Sequence, residues 1–115
     1  MKFMIMLFEK DTDWSAVPPE ALEGALAEHD AFTAMLRQRG IDYSGEAVRE
    51  SSKAVTLRRS ADGLVAADGP FAEQPYQLAG FYVIDVKDLA AAVEIARLCP
   101  TGAGTEVRPV WESAH

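Results

Sequence analysis

The chain has 115 residues, with eleven basic against eighteen acidic side chains and a formal net charge of −7. That balance argues against sequence-independent nucleic-acid binding, which depends on cationic side chains neutralising phosphates, although local charge can still oppose the global sign. Apolar residues make up 49% of the chain, yet no apolar run approaches the roughly 20 residues a membrane helix needs. The length suits one domain over residues 1–115 with one core. Cys99 is the single cysteine, so no internal disulfide can form and a reducing compartment fits best. The apolar start, Met1 to Phe8, is cut short by Glu9, Lys10 and Asp11 and does not read as a secretory leader. The expected location is cytoplasmic.

Residues 3–8 are apolar at every position, the mark of a strand buried on both faces. A loop over 11–19 ends in Pro18-Pro19, and Pro19 suits the first turn of a helix, where its missing N–H costs nothing. That helix is expected over about 19–39, with Leu22, Leu26, His29, Phe32 or Thr33, and Leu36 recurring at helical spacing and Gly40 as the left-handed cap. His29 therefore lies on the inward face. Residues 41–48 read as a strand or an irregular extended segment, kinked at Ser44-Gly45. Lys53 to Arg59 alternates, Val55 and Leu57 on one side against Thr56 and Arg58 on the other, as in a strand buried on one face. Asp62-Gly63 is a favoured hairpin dipeptide, with 64–67 as the returning arm.

That arm delivers the chain to Asp68-Gly69-Pro70-Phe71-Ala72-Glu73, a strong turn signal. Residues 79–86 form a second run apolar on both faces. Asp88 is a plausible N-cap for a helix carrying Leu89, Ala92, Val93 and Ala96, which Pro100 stops. Thr105 to Trp111 is the last strand, and Pro109, which cannot donate to a ladder, marks it as an edge strand or marks its end.

The resulting order is β-α-β-(hairpin)-β-α-β, an α+β ferredoxin-like arrangement with an inserted hairpin. The strand order 4-1-3-2 puts runs 3–8 and 79–86 in the centre, with the alternating strand and the Pro-bearing strand at the edges. Along the central strands, Phe3, Ile5, Leu7, Phe81 and Val83 are expected on one face; Met4, Met6, Phe8, Tyr82, Ile84 and Val86 are expected on the other. Two helices cover one face only. The other is expected to bury against a second subunit, giving a dimeric α/β-barrel.

At Asp68-Gly69-Pro70-Phe71-Ala72-Glu73, followed by Leu78 and Gly80-Phe81-Tyr82, the chain resembles the DGPF-domain proteins of the YCII-related group. Gly45-Glu46-Ala47, Asp85-Val86-Lys87-Asp88-Leu89 and Glu106-Val107-Arg108-Pro109-Val110 carry the likeness over nearly the whole chain. The resemblance implies a dimeric α+β barrel. Some such proteins are encoded or fused with extracytoplasmic-function sigma factors, and YCII-like relatives include a dehalogenating enzyme acting on a chlorinated hydroxyhydroquinone. It also implies a His–Asp pair: the family's His precedes a helix-ending Gly by eleven residues, as His29 precedes Gly40, and its Asp opens an Asp-x-Pro-Phe turn, as Asp68 does.

His29 and Asp68 are accordingly the candidate catalytic residues, an imidazole that moves a proton and a carboxylate that orients it. The corresponding function is a cofactor-independent lyase or isomerase doing proton transfer or elimination on a small molecule. The alternative is a non-catalytic dimeric ligand-binding or regulatory module associated with a sigma factor. Asp68 can instead cap its own turn, and Glu73 can be a solvated turn acid. Arg58 and Arg59 serve either an anionic ligand or protection of a sheet edge. Phe81 and Tyr82 are expected to pack in the core, with the Tyr82 hydroxyl able to reach a cleft; Trp14 and Trp111 suit a pocket or a dimer contact. Cys99 reads as a packed thiol. No metal-ligand spacing, phosphate loop or dinucleotide fingerprint is present, so no cofactor or metal is expected.

Overall fold

The two uninterrupted apolar runs become the central strands of a four-stranded antiparallel sheet. The structure, a computed structural model, describes residues 1–112. Strand β1 (Lys2–Lys10) lies between β5 (Tyr76–Asp85) and β6 (Gly104–Pro109), and β2 (Tyr43–Ala47) pairs with the far side of β5, giving the order β2-β5-β1-β6. Helix α1 (Pro19–Gln38) connects β1 to β2, and α2 (Leu89–Ala96) connects β5 to β6. This is the α+β, ferredoxin-like order expected for the main strands. A separate two-stranded sheet, β3 (Val55–Ser60) with β4 (Gly63–Asp68), is inserted between β2 and β5.

Local chemistry sets the helix ends. Pro at the first helical position opens α1, and Gly40 at φ 69° follows its end. The Asp88 carboxylate accepts the Ala91 N–H at 2.8 Å and caps α2. Both helices cover the same face of the sheet: Phe32 and Leu36 from α1 and Ala92, Ile95 and Ala96 from α2 join Phe3, Ile5, Leu7, Ile84 and Cys99 in one buried cluster. Leu26 departs from the expected inward stripe and is exposed.

Two expectations about the sheet are corrected by its register. The alternating strand 53–59 is not an edge of the main sheet; it is β3 of the separate hairpin, and β2 holds the edge. The face assignment also changes. Ile5 lies opposite Tyr82 and Phe3 opposite Ile84, and opposed residues of an antiparallel pair share a face. Tyr82 and Ile84 therefore join Phe3 and Ile5 under the helices, and Phe81 and Val83 join Met4 and Met6 on the open side. Parity between strands some eighty residues apart depends on register, and a one-residue offset exchanges the faces. On the open side Met4, Met6, Phe8, Phe81 and Val83 are half-buried, and among the described residues no helix or second sheet covers them.

Gly45 marks a close approach of β2 to β5 instead of a kink. A Cβ there would sit 2.6 Å from the Phe81 carbonyl oxygen and 2.7 Å from Tyr82 Cδ1. The bare backbone leaves room for the Tyr82 ring, which fixes where that ring goes.

Candidate functional site

Tyr82 projects from the middle of β5, paired on one side with Ile5 of β1 and on the other with Gly45 of β2. Helix α1 crosses above it and presents His29 and, one turn later, Phe32. The Phe32 and Tyr82 rings meet with centroids 5.0 Å apart at 59°, and the His29 ring stacks at 5.9 Å and 30°. His29 Nδ1 and Tyr82 Oη are 2.7 Å apart, a hydrogen bond between partly buried groups. Farther along the helix, Arg37 Nη1 donates to Tyr43 Oη at 2.7 Å. Two tyrosine hydroxyls of the sheet thus tie the polar positions of α1 to an otherwise apolar layer.

Burial pushes the Tyr82 phenol up to about 12, helped by the neighbouring Cys99, Tyr43 and Asp30. Tyr82 therefore stays protonated at neutral pH. Its hydroxyl can donate to an unprotonated Nδ1 or accept from a protonated one, so it holds the imidazole in place in either tautomer. A carboxylate partner would favour one tautomer and add negative charge; a phenol does neither. With Nδ1 held, Nε2 is the nitrogen left to give or take a proton. Cys99 is buried, as the packed-thiol reading expects, and burial raises its thiol to about 11, which makes it a poor nucleophile.

The other sequence candidates lie elsewhere. Asp68 ends β4 opposite Val55 and is exposed, and its carboxylate forms no hydrogen bond or ion pair among the described residues. His29 and Asp68 are thus not bonded to each other; His29 has Tyr82 instead. The Asp68 turn itself is well fixed. Gly69 sits at φ 106°, a conformation that favours glycine, its N–H donates to the Ala54 carbonyl at 2.8 Å, and Thr56 Oγ1 donates to the Gly69 carbonyl at 2.7 Å. Arg58 donates to the Phe71 carbonyl and lies over the Phe71 ring, 4.5 Å from its centroid. Arg58 is thereby engaged within the turn. Glu73 is exposed, Trp111 is 92% exposed, and Trp14 Nε1 donates to Glu9 Oε1 at 2.9 Å in a small cleft beside Asp11, Arg49 and Glu50. Among the described residues no group of three or more His, Cys, Asp or Glu side chains is placed to hold a metal ion.

Tyr82 and Gly45 are the site residues whose roles the sequence pattern leaves hidden. The signal that points to them is the inward position of His29, which demands a polar partner on the facing strand once the register is known.

Fold and site together define a small ferredoxin-like α+β domain with a histidine–tyrosine pair between its first helix and its sheet. The chain belongs to the YCII-related domain family, whose profile matches residues 1–114. It is similar to the uncharacterized protein R00369 of Rhizobium meliloti (strain 1021), 44% identical over 64 residues that cover 52% of this chain and 52% of that one. The chain thus spans about half the length of that relative. No helix among the described residues is long and apolar enough to cross a membrane.

Proposed function

We propose that this chain is a cofactor-independent acid/base catalyst, of the lyase or isomerase type, acting on a small aromatic or carbonyl-bearing molecule. The observation that carries it is the 2.7 Å bond between His29 and Tyr82, which orients a half-buried imidazole on an otherwise apolar helix face. His29 is the general acid/base and Tyr82 its positioning residue. Asp68 is the second candidate acid/base, its exposed carboxylate acting on a ligand in its own right instead of through the His29 ring. The catalyst works as a homodimer closed over the open sheet face of Met4, Met6, Phe81 and Val83.

The test is proton exchange, read directly. Small phenols and ketones are incubated with the protein in deuterated buffer, and carbon-bound deuterium is followed by NMR. The expected result is exchange by the unaltered protein and a loss of about 10²–10⁴-fold in His29→Ala, the usual span for one acid/base group. Tyr82→Phe, which removes the bond that holds the ring and leaves the group that moves the proton, lowers activity by less than His29→Ala. Full activity in both His29→Ala and Asp68→Asn sinks the assignment.

A second reading is favoured by the open sheet face: a non-catalytic dimeric module that binds a small ligand or an extracytoplasmic-function sigma factor. Its test is co-purification with sigma factors encoded beside the gene. Absence of any such complex, together with turnover of a small molecule, rejects it.

A further inference from the structure

The β3–β4 hairpin carries more surface than one chain can use. Every residue of its two strands except Thr56 is exposed, and Val55, Leu57, Leu64 and Val65 on it are 54–61% exposed. Opposed pairs sort its two faces. Thr56, Arg58 and Val65 face the Gly69–Phe71 segment side, where Thr56 and Arg58 bond to Gly69 and Phe71. Val55, Leu57, Leu64 and Ala66 share the opposite face, with Arg59 near the tip and Asp68 at the base. That face is an apolar ladder whose side chains are all exposed among the described residues. Its alternation is the pattern of a strand buried on one side, yet the fold leaves it bare. An isolated two-stranded hairpin is marginally stable in water, so an ordered hairpin of this kind requires a third layer.

The size of the molecule agrees. Its accessible surface is 8117 Å2 for a mass of 12.5 kDa, where a folded monomer of that mass exposes about 6,200 Å2. Its radius of gyration is 16.2 Å, against about 13 Å for a compact domain of this length. The excess surface is well above the roughly 800 Å2 per partner that a standard interface buries.

The segment leading into the hairpin is also tied to the main sheet. At its root the Asp11 carboxylate accepts the Ser51 N–H at 2.8 Å and bonds the Ser51 hydroxyl, and Val48 N–H donates to the Ala79 carbonyl at 2.9 Å. At the base of the hairpin the Gly69 turn bonds back to Ala54 and Thr56 and closes it on itself. Strands of six residues reach about 20 Å at about 3.4 Å per residue, twice the roughly 10 Å between stacked sheets.

We propose that the β3–β4 hairpin is an arm that packs its Val55–Leu57–Leu64–Ala66 face on a second copy of this chain, each copy clasping the other about a two-fold axis. The occupant is a second copy because the same chain also exposes the open apolar sheet face, and one association about a two-fold axis covers both that face and the arm, drawing on the surface excess above. The Asp-Gly-Pro-Phe turn is then the rigid shoulder of the arm. The inference rests on the homodimer in the reading above and is separable from it.

The experiment measures dimer dissociation by analytical ultracentrifugation for the unaltered protein, for Leu57→Ser/Leu64→Ser in the arm, and for Met6→Glu on the sheet face. The expected result is a dimer whose Kd rises about a hundredfold in the arm variant, as for loss of two buried contact side chains. An arm variant with unchanged Kd overturns the arm while leaving the sheet-face dimer standing. A monomeric unaltered protein overturns both. Hydrogen exchange on the unaltered protein gives an independent readout that no variant can confound: amides of 55–68 gain protection as concentration rises through Kd. Equal exchange at all concentrations overturns the arm.

Discussion

Gly45 and Gly24 provide a paired test of the geometry that seats Tyr82. In Gly45→Ala the new Cβ stands 2.6 Å from a backbone carbonyl and 2.7 Å from the Tyr82 ring, whereas carbon contacts are comfortable only near about 3.5 Å. A separation of about 0.8 Å must open between β2 and β5 or between β2 and the ring. The carbonyl cannot yield without straining the β2–β5 ladder, which runs from Tyr43↔Ile84 to Ala47↔Gly80. Overpacking of this kind costs about 1–3 kcal/mol, offset by about 0.4–1 kcal/mol from the stiffer unfolded chain. The net expectation is destabilisation by about 1–2 kcal/mol, seen as a fall of about 5–10 °C in Tm. Gly24, within α1, has nothing within 4 Å of its Cβ position, so Gly24→Ala should stabilise by about 0.5–1 kcal/mol. Urea denaturation of both variants reads the two signs side by side. A Gly45→Ala protein as stable as the unaltered chain refutes the close approach of β2 to Tyr82.

Tyr82→Phe removes the bond to His29 and should cost about 0.5–1.5 kcal/mol at neutral pH. The Tyr82 phenol is raised from 10.0 to about 12 by burial first, so the folded state keeps its proton longer than the unfolded state. The corresponding stability is fully present below about pH 10 and is lost as pH rises through about 12; Tyr82→Phe should flatten that alkaline decline, and an unchanged slope contradicts it. Cys99, raised from 9.0 to about 11 by burial, should be alkylated about a hundredfold more slowly in the folded protein than in urea, and equal rates would show the thiol to be exposed. Asp88→Ala, which deletes the 2.8 Å cap of α2, should destabilise by about 1 kcal/mol while Asp88→Asn stays near the unaltered value; calorimetry separates them.

The order of the main strands is legible in the sequence because burial on two faces writes itself as an unbroken apolar run, and only β1 and β5 have both faces lined that way. Pro19, Gly40, Asp88 and Pro100 bound the helices through local backbone chemistry that needs no tertiary contact. What stays hidden depends on pairing across long sequence distance. The β1–β5 ladder contains a bulge between Leu7 and Phe8, and no short turn ties its register, so nothing local tells Tyr82 from Phe81. His29 is legible as an inward polar residue, but its partner is set by that register. The alternation of Val55 and Leu57 speaks for one buried face without saying which molecule buries it.

The most direct measurement of the site is the ring-nitrogen NMR spectrum of 15N-histidine-labelled protein, with the His29 signals assigned by their loss in His29→Ala. If Tyr82 holds the imidazole, the His29 Nδ1 shift moves in Tyr82→Phe and stays in place in Asp68→Asn. A His29 signal indifferent to Tyr82→Phe but displaced by Asp68→Asn would contradict the histidine–tyrosine pair and restore the carboxylate as its partner.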